Sequence, residues 1–172
     1  MPEAILITQA DVREYRQIDA NFDQNRFNSF CNDVQRKSLR GLLGDALYYD
    51  LMSDSRVAGK YKDLLDGKDY QYAGNTIHFY GIKPILCYWW LAIAAREGDL
   101  FLSSIGAIQF VNNPQQNFES SKSKERISSE YSATAQMFTN DLIQFLGQHN
   151  SIYPLWQGGQ ETRKNNFTSF RI

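Results

Sequence analysis

The stretch Tyr61–Ala94, YKDLLDGKDYQYAGNTIHFYGIKPILCYWWLAIA, changes its hydrophobic period twice, and those changes decide the fold. Lys60 to Asp66 reads as one or two helical turns stopped by Gly67. Tyr70, Tyr72, Ile77 and Phe79 then alternate with polar residues around Ala73-Gly74-Asn75, where Gly74-Asn75 offers the positive φ that a tight turn demands. The pattern predicts a small β-hairpin over about Asp69 to Tyr80, with His78 on its polar side. From Gly81 the period becomes helical. Pro84 is tolerated in the first turn, and Ile82, Ile85, Leu86, Trp89, Trp90 and Ile93 form a core face before Arg96-Glu97-Gly98 closes the helix.

Upstream, Thr8 and Asp11 form a capping signal for a helix from about Gln9 to Asp19, with Val12, Tyr15 and Ile18 on one face. A longer helix is expected from about Arg26 to Met52. Phe27, Phe30, Cys31, Val34, Leu42, Ala46 and Tyr49 make one stripe, and Leu39, Leu43, Leu47 and Leu51 a second. Apolar residues therefore wrap most of its second half, which is expected to be buried on several sides. Gly41 and Gly44 inside it imply either close approach of another backbone or a kink. Arg36, Lys37 and Arg40 lie on its polar side, as a solvated face or as a candidate phosphate-facing cluster.

Downstream, Leu100 to Val111 is apolar without period and reads as an extended connection. A further helix is written from Asn117 to Gln148 by Ile127, Tyr131, Ala135, Phe138, Leu142 and Phe145, with Gly147 as its stop. The helical part thus spans residues 1–150, and residues 151–172 form an extended C-terminal arm. In the arm, Tyr153-Pro154-Leu155-Trp156 is an aromatic plug, followed by a polar run and then Phe167, Phe170 and Ile172. Such a segment either folds back on its own core or docks on another subunit. The fold class expected is mainly α: a bundle of about four helices with one small β-hairpin.

The chain has 172 residues, enough for one domain. Its 18 Lys and Arg against 19 Asp and Glu leave a net charge of -1, which argues against a protein that coats nucleic acid. The start, MPEAILITQADVREYRQ, lacks a basic stretch followed by an apolar run, so the chain is expected in the cytoplasm where it is made. Its most apolar window, Ile82 to Ala95, is too short for a membrane span, and no membrane partner is expected. Cys31 and Cys87 stand alone in apolar settings and are expected to be buried thiols rather than metal ligands or a disulfide. No catalytic motif, cofactor signature or metal-ligand spacing is present, so neither an enzyme nor a cofactor is expected. The 10 Tyr, 11 Phe and 3 Trp exceed what a core of this size needs, and some are expected at contacts with other chains. The candidates are Tyr70, Tyr72 and Tyr80 on the hairpin and Tyr153, Pro154, Leu155, Trp156, Phe167, Phe170 and Ile172 in the arm. Tyr49, Trp89 and Phe138 are assigned to the helical core.

Within Tyr61–Ala94, the helical Leu64-Leu65-Asp66-Gly67, the hairpin form Y-x-Y-x-G-x-T-x-x-F, then Gly81-Ile82-Lys83-Pro84 and an aromatic Tyr88-Trp89-x-x-Ala92 helix carry a family likeness. With the preceding LLGDALYYDLM, the chain resembles the head-tail connector proteins of tailed phages and prophages of Bacteroides-type bacteria, including the crAss-like phages. These are also called ring or adaptor proteins. The resemblance implies a structural virion protein at the head-tail interface, assembled with itself as a ring, commonly a dodecamer. Such a ring sits below the portal protein, meets adjacent tail or ring proteins, and lines the channel through which double-stranded DNA passes transiently. A tail terminator or stopper is the neighbouring expectation in the same assembly. An alternative of another class is a cytoplasmic helical binding module, such as a prophage regulator, that uses Arg36, Lys37 and Arg40 against nucleic acid or an acidic partner.

Overall fold

The helix from Lys83 to Glu97, α6 below, is apolar nearly all round, and a helix of that kind must be covered by others. A computed structural model describes residues 4–18, 21–54, 59–97 and 114–157. In chain order these form α1 (Gln9–Tyr15), α2 (Gln24–Val34), a π-helical turn (Gln35–Leu39), α3 (Arg40–Leu43), α4 (Asp45–Asp54), α5 (Lys62–Asp66), β1 (Lys68–Tyr72), β2 (Asn75–Phe79), α6 (Lys83–Glu97) and α7 (Pro114–Gln148). The architecture is mainly helical with one two-stranded antiparallel hairpin.

Three helices enclose α6. On one side α7 runs antiparallel to it: Ser128 donates to the carbonyl of Ala92 at 2.9 Å, and Tyr88 lies within 5.8 Å of Phe138. On another, α2 brings Phe27 to 5.0 Å from the fully buried Trp90, whose Nε1 donates to the Phe27 carbonyl at 3.2 Å. On a third, Tyr15 of α1 meets Tyr88 at 5.5 Å. The stripe Tyr131, Ala135, Leu142 and Phe145 is buried as its spacing predicts, with Ile127 and Phe138 partly buried at its flank. α7 ends at Gln148 as expected and begins at Pro114, three residues before the expected start.

Thr8 caps α1 with the expected box: its hydroxyl accepts from the Asp11 N–H at 3.2 Å, while Asp11 accepts from the Thr8 N–H at 2.6 Å. The helix ends at Tyr15, four residues before the expected stop.

The single helix expected from Arg26 to Met52 is instead three α-segments and a π turn. At the π turn the N–H of Arg40 reaches the carbonyl of Gln35, five residues back. Gln35, which opens the turn, is fully buried. Its amide accepts from the Leu6 N–H at 2.9 Å and donates to the Ala4 carbonyl at 2.9 Å, so it stands in for a strand neighbour and holds the extended N-terminal segment. At Gly44, φ is +75° and the helix turns a corner. Nothing lies within 4 Å of where a Cβ would sit on Gly41 or Gly44, so the kink, not close approach, explains the glycine at this corner.

The π turn also reverses one expectation about the core. Leu39, Leu43, Leu47 and Leu51 are fully buried, but Ala46 is exposed and Tyr49 is 51% exposed. Tyr48, not Tyr49, is the core ring, because the π turn inserts one residue: the buried row Phe27, Cys31, Val34 resumes five positions on at Leu39 and continues through Leu43, Leu47 and Leu51. Trp89 is only partly buried, whereas Trp90 is the central residue. The segment Leu100 to Val111 lies outside the described residues.

Candidate interaction surface

Two glycines fix the hairpin to the helices. Gly67 ends α5 at φ +89° and Gly81 precedes α6 at φ +81°, values that suit glycine. Their backbones cross so closely that a Cβ on Gly67 would lie 2.2 Å from the Phe79 carbonyl oxygen, and one on Gly81 would lie 2.3 Å from that of Leu65. The Ile82 N–H donates to the Leu64 carbonyl at 3.0 Å and closes the crossing. LLDG and GIKP are therefore two halves of one joint, which aims the hairpin at α7. Lys83 locks it further, with Asp66 at 2.7 Å.

The strands pair Lys68 with Phe79, Tyr70 with Ile77 and Tyr72 with Asn75. The loop is Ala73-Gly74, at φ +50° and +81°, so the positive-φ pair lies one residue earlier than Gly74-Asn75. One face is wholly polar: His78 Nδ1 lies 2.6 Å from Asp69 Oδ1, and Gln71 donates to Thr76 at 2.7 Å. His78 thus has a cross-strand carboxylate neighbour that sequence spacing did not suggest. The other face packs on α7, where Phe79 stacks on Phe145 at 4.1 Å and Tyr70 meets Phe145 at 5.4 Å and His149 at 5.2 Å. Exposure rises toward the turn, from 7% at Tyr70 to 40% at Tyr72, so the tip of the apolar face overhangs its support. Tyr80, 52% exposed, projects between His78 and Phe138.

The residues expected to face other chains therefore divide. Tyr72 and Tyr80 present their rings to solvent, and Pro154 and Leu155 are exposed too. Tyr70 and Tyr153 do not, and the expectation is corrected for them: both are spent on the chain's own core. Tyr153 stacks with Tyr61 at 6.2 Å and approaches Phe145 at 5.9 Å, and burial pushes its hydroxyl up to about 12. Trp156 is half-buried, with Nε1 donating to the Leu42 carbonyl at 3.2 Å. The aromatic plug folds back because the turn after α7, with Tyr153 N–H on the His149 carbonyl, directs both rings inward. The helical unit thus extends past residue 150, at least to Trp156. Phe167, Phe170 and Ile172 lie outside the described residues.

Sequence reasoning missed three exposed apolar residues: Met137 at 68%, Ile143 at 37% and Ile152 at 57%. A signal existed for the first two, which fall off the buried stripe of α7 and so had no intramolecular use.

The basic cluster is divided as well. Lys37 pairs with Asp33 at 3.0 Å. Arg40 forks Asp45 at 2.7 and 3.1 Å and lies 5.3 Å over the Tyr49 ring. Arg36 is exposed on the π turn. These residues do not form one open cationic patch, since two of the three already face carboxylates.

Cys31 and Cys87 are both fully buried and unbridged, and burial pushes the Cys31 thiol up to about 12 and that of Cys87 higher still. Neither is a nucleophile near neutral pH. Among the described residues no three His, Cys, Asp or Glu side chains gather as metal ligands, and no helix is long and apolar enough to cross a membrane.

No curated protein and no solved structure matches the chain significantly. A family model does match, over residues 39–166, a span that holds the α3–α4 corner, the glycine joint, the hairpin and the α6–α7 pair. On that match the chain belongs to a family of unknown function (DUF6712).

Proposed function

We propose that the chain is a structural subunit of a tailed-phage particle, a head-tail connector that forms a ring below the portal and lines the DNA exit channel. The observation that carries this reading is the distribution of exposed apolar side chains. Tyr49, Tyr72, Tyr80, Met137, Ile143, Ile152 and Leu155 lie on the corner, the hairpin, α7 and the C-terminal turn rather than in one cleft. A ring subunit needs two different complementary surfaces for its neighbours and further contacts above and below. At roughly 1,200 to 2,000 Å² per stable contact, that demand spreads over a small chain in this way.

The resemblance over Tyr61–Ala94 supports the same reading, and the glycine joint gives its motifs a physical role: they set where the hairpin tip points. A net charge of -1 suits a wall past which DNA slides, because affinity for phosphate rises steeply with each neutralised charge. The regulator alternative rests on Arg36, Lys37 and Arg40, and the carboxylates beside Lys37 and Arg40 weaken it.

The test is quantitative mass spectrometry of gradient-purified particles from the strain that carries the gene. The chain should be recovered in a fixed ratio to the portal protein, and its absence from particles that contain portal and capsid proteins would sink the proposal. Cryo-electron microscopy of the same particles separates a connector ring from a terminator or stopper by its level below the portal.

A further inference from the structure

The hairpin has two outer edges, and among the described residues neither is paired. The two-residue loop Ala73-Gly74 makes Tyr72 and Asn75 a hydrogen-bonded pair, and the alternation of an antiparallel ladder then makes Tyr70–Ile77 and Lys68–Phe79 hydrogen-bonded pairs as well. The residues between them, Asp69 and Gln71 on β1 and Thr76 and His78 on β2, turn their own N–H and C=O groups outward. All of these residues are exposed, and among the described residues none of those outward groups has a backbone partner. Their side chains leave complementary atoms over. His78 Nδ1 takes Asp69 Oδ1 at 2.6 Å, which leaves His78 Nε2 and Asp69 Oδ2. Gln71 Nε2 donates to the Thr76 hydroxyl at 2.7 Å, which leaves the Gln71 Oε1 acceptor and the Thr76 hydroxyl proton.

We propose that the outer edge of β2 pairs, antiparallel and head to tail, with the outer edge of β1 in a second copy of this chain, with Thr76 opposite the partner subunit's Gln71 and His78 opposite the partner subunit's Asp69. Outward backbone groups recur at every second residue on both edges and satisfy each other, which is recognition by strand addition. The occupant is a second copy because the pairs needed at the junction are the pairs the hairpin already makes. The remaining imidazole nitrogen meets a remaining carboxylate oxygen, the Thr76 proton meets an amide oxygen, and Ile77 faces Tyr70 on the apolar face as it does within the hairpin. Joining like edges about a two-fold axis would instead set Asp69 opposite Gln71, or His78 opposite Thr76, and lose the match of acid with imidazole. Hairpins stacked head to tail share one orientation, so every junction is antiparallel and each subunit uses both edges. Such a contact is heterologous and closes into a ring when its rotation allows. The proposal deepens the connector reading, on which it rests for that closure.

The test puts Thr76→Cys and Gln71→Cys into separate full-length chains of different tag length, so that no bond can form within one hairpin; Cys31 and Cys87 are buried and unbridged. Across a hydrogen-bonded pair the Cα atoms lie about 5.5 Å apart, within disulfide reach. Mild oxidation of the concentrated mixture should give mixed dimers, reversed by dithiothreitol, that exceed each symmetric dimer about tenfold, as for a preference of about 1.4 kcal/mol. Symmetric dimers as the main product would overturn the proposal in favour of like edges, and no dimer although both thiols react with maleimide would overturn it outright. A second arm uses particles. Gln71→Pro removes an outward N–H and spares the hairpin's own ladder, so the purified variant should keep its urea midpoint yet fall about tenfold in its ratio to portal protein. Gln71→Ala keeps the N–H and should enter particles like the wild type. If Gln71→Pro lowers the midpoint, Thr76→Pro on the other strand takes its place. Entry of the proline variant at the wild-type ratio overturns the edge pairing and leaves the connector reading standing. Wild type missing from particles defeats the connector reading instead, and the dimer assay alone then decides the pairing.

Discussion

Two helical stretches of this chain read alike and end differently. Both α6 and the α3–α4 corner carry apolar residues around most of their circumference. In α6 that promise is met inside the chain, since α1, α2 and α7 cover it and Ile85, Leu86, Cys87, Trp90, Leu91 and Ala94 are all at or below 1% exposure. At the corner one row is buried and the other, ending in Tyr49, is open. An apolar circumference says that a helix is meant to be covered; it does not say by what. At the corner the cover that the described residues supply to the outer row includes the Arg40 guanidinium, 5.3 Å over the Tyr49 ring.

The sharpest way to break this comparison is to empty each site. Trp90→Ala removes a fully buried ring and its hydrogen bond to Phe27 and should destabilise the protein by about 3–5 kcal/mol. Tyr49→Ala should cost less than about 1 kcal/mol, as for a half-exposed side chain. Both are read from urea denaturation curves. Equal costs would mean that Tyr49 is as deeply committed as Trp90 and that the corner is not open.

A second contrast sets Gly81 against Gly44. Both have positive φ, at +81° and +75°, but only at Gly81 would a Cβ strike backbone. Gly81→Ala should cost about 2–4 kcal/mol from strain and overpacking together. Gly44→Ala should cost less, about 1–3 kcal/mol, from the backbone strain of φ +75° and ψ 159° without a clash. Near-equal losses in the same denaturation assay would show that the glycine joint has room to yield.

These pairs also mark how far the sequence could be read. The hairpin, α6, the α7 stripe and the Thr8 capping box were legible because each is written by near neighbours with one period or one cap. The π turn after Val34 was not, because the residue that opens it, Gln35, is held by Ala4 and Leu6, some thirty positions away. Tyr70 and Tyr153 were assigned to partners on composition, and composition cannot see that Phe145 and Tyr61 wait for them. Met137 and Ile143 were missed, although both are apolar residues off the buried stripe of α7. The buried-versus-open distinction at Leu42, Ala46 and Tyr49 depended on the extra residue of the π turn, which moves the buried row from Val34 to Leu39 and which a regular helical period does not anticipate.

Gln35→Leu tests that distant contact. It keeps the side chain's bulk but strips both amide bonds, leaving the Leu6 N–H and the Ala4 carbonyl without their partner. The expected loss is about 1–3 kcal/mol, with faster amide exchange at Leu6. Unchanged exchange at Leu6 would mean that Gln35 does not hold the N-terminal segment. The variant also asks whether the π turn between α2 and α3 then tightens to regular α-helix.

The smallest effect concerns how the far end of α4 is held. Asp50 accepts from Lys60 Nζ and from the Tyr61 hydroxyl, and those two hydrogen bonds keep its carboxyl below the usual carboxylate range. A depressed folded pKa contributes stability above the unfolded value of about 3.9, and the contribution is lost as pH falls through the lower folded value. The carboxylate is partly solvated, with 35% side-chain exposure, so the contribution should stay below about 1 kcal/mol. Asp50→Asn should therefore lower the urea midpoint slightly and evenly from about pH 5 to 8, and the gap to wild type should close below about pH 4. A gap that persists undiminished to the acid limit would mean that Asp50 acts through shape rather than charge, and that the Tyr61–Tyr153 stack alone ties α4 and α5 to the C-terminal turn.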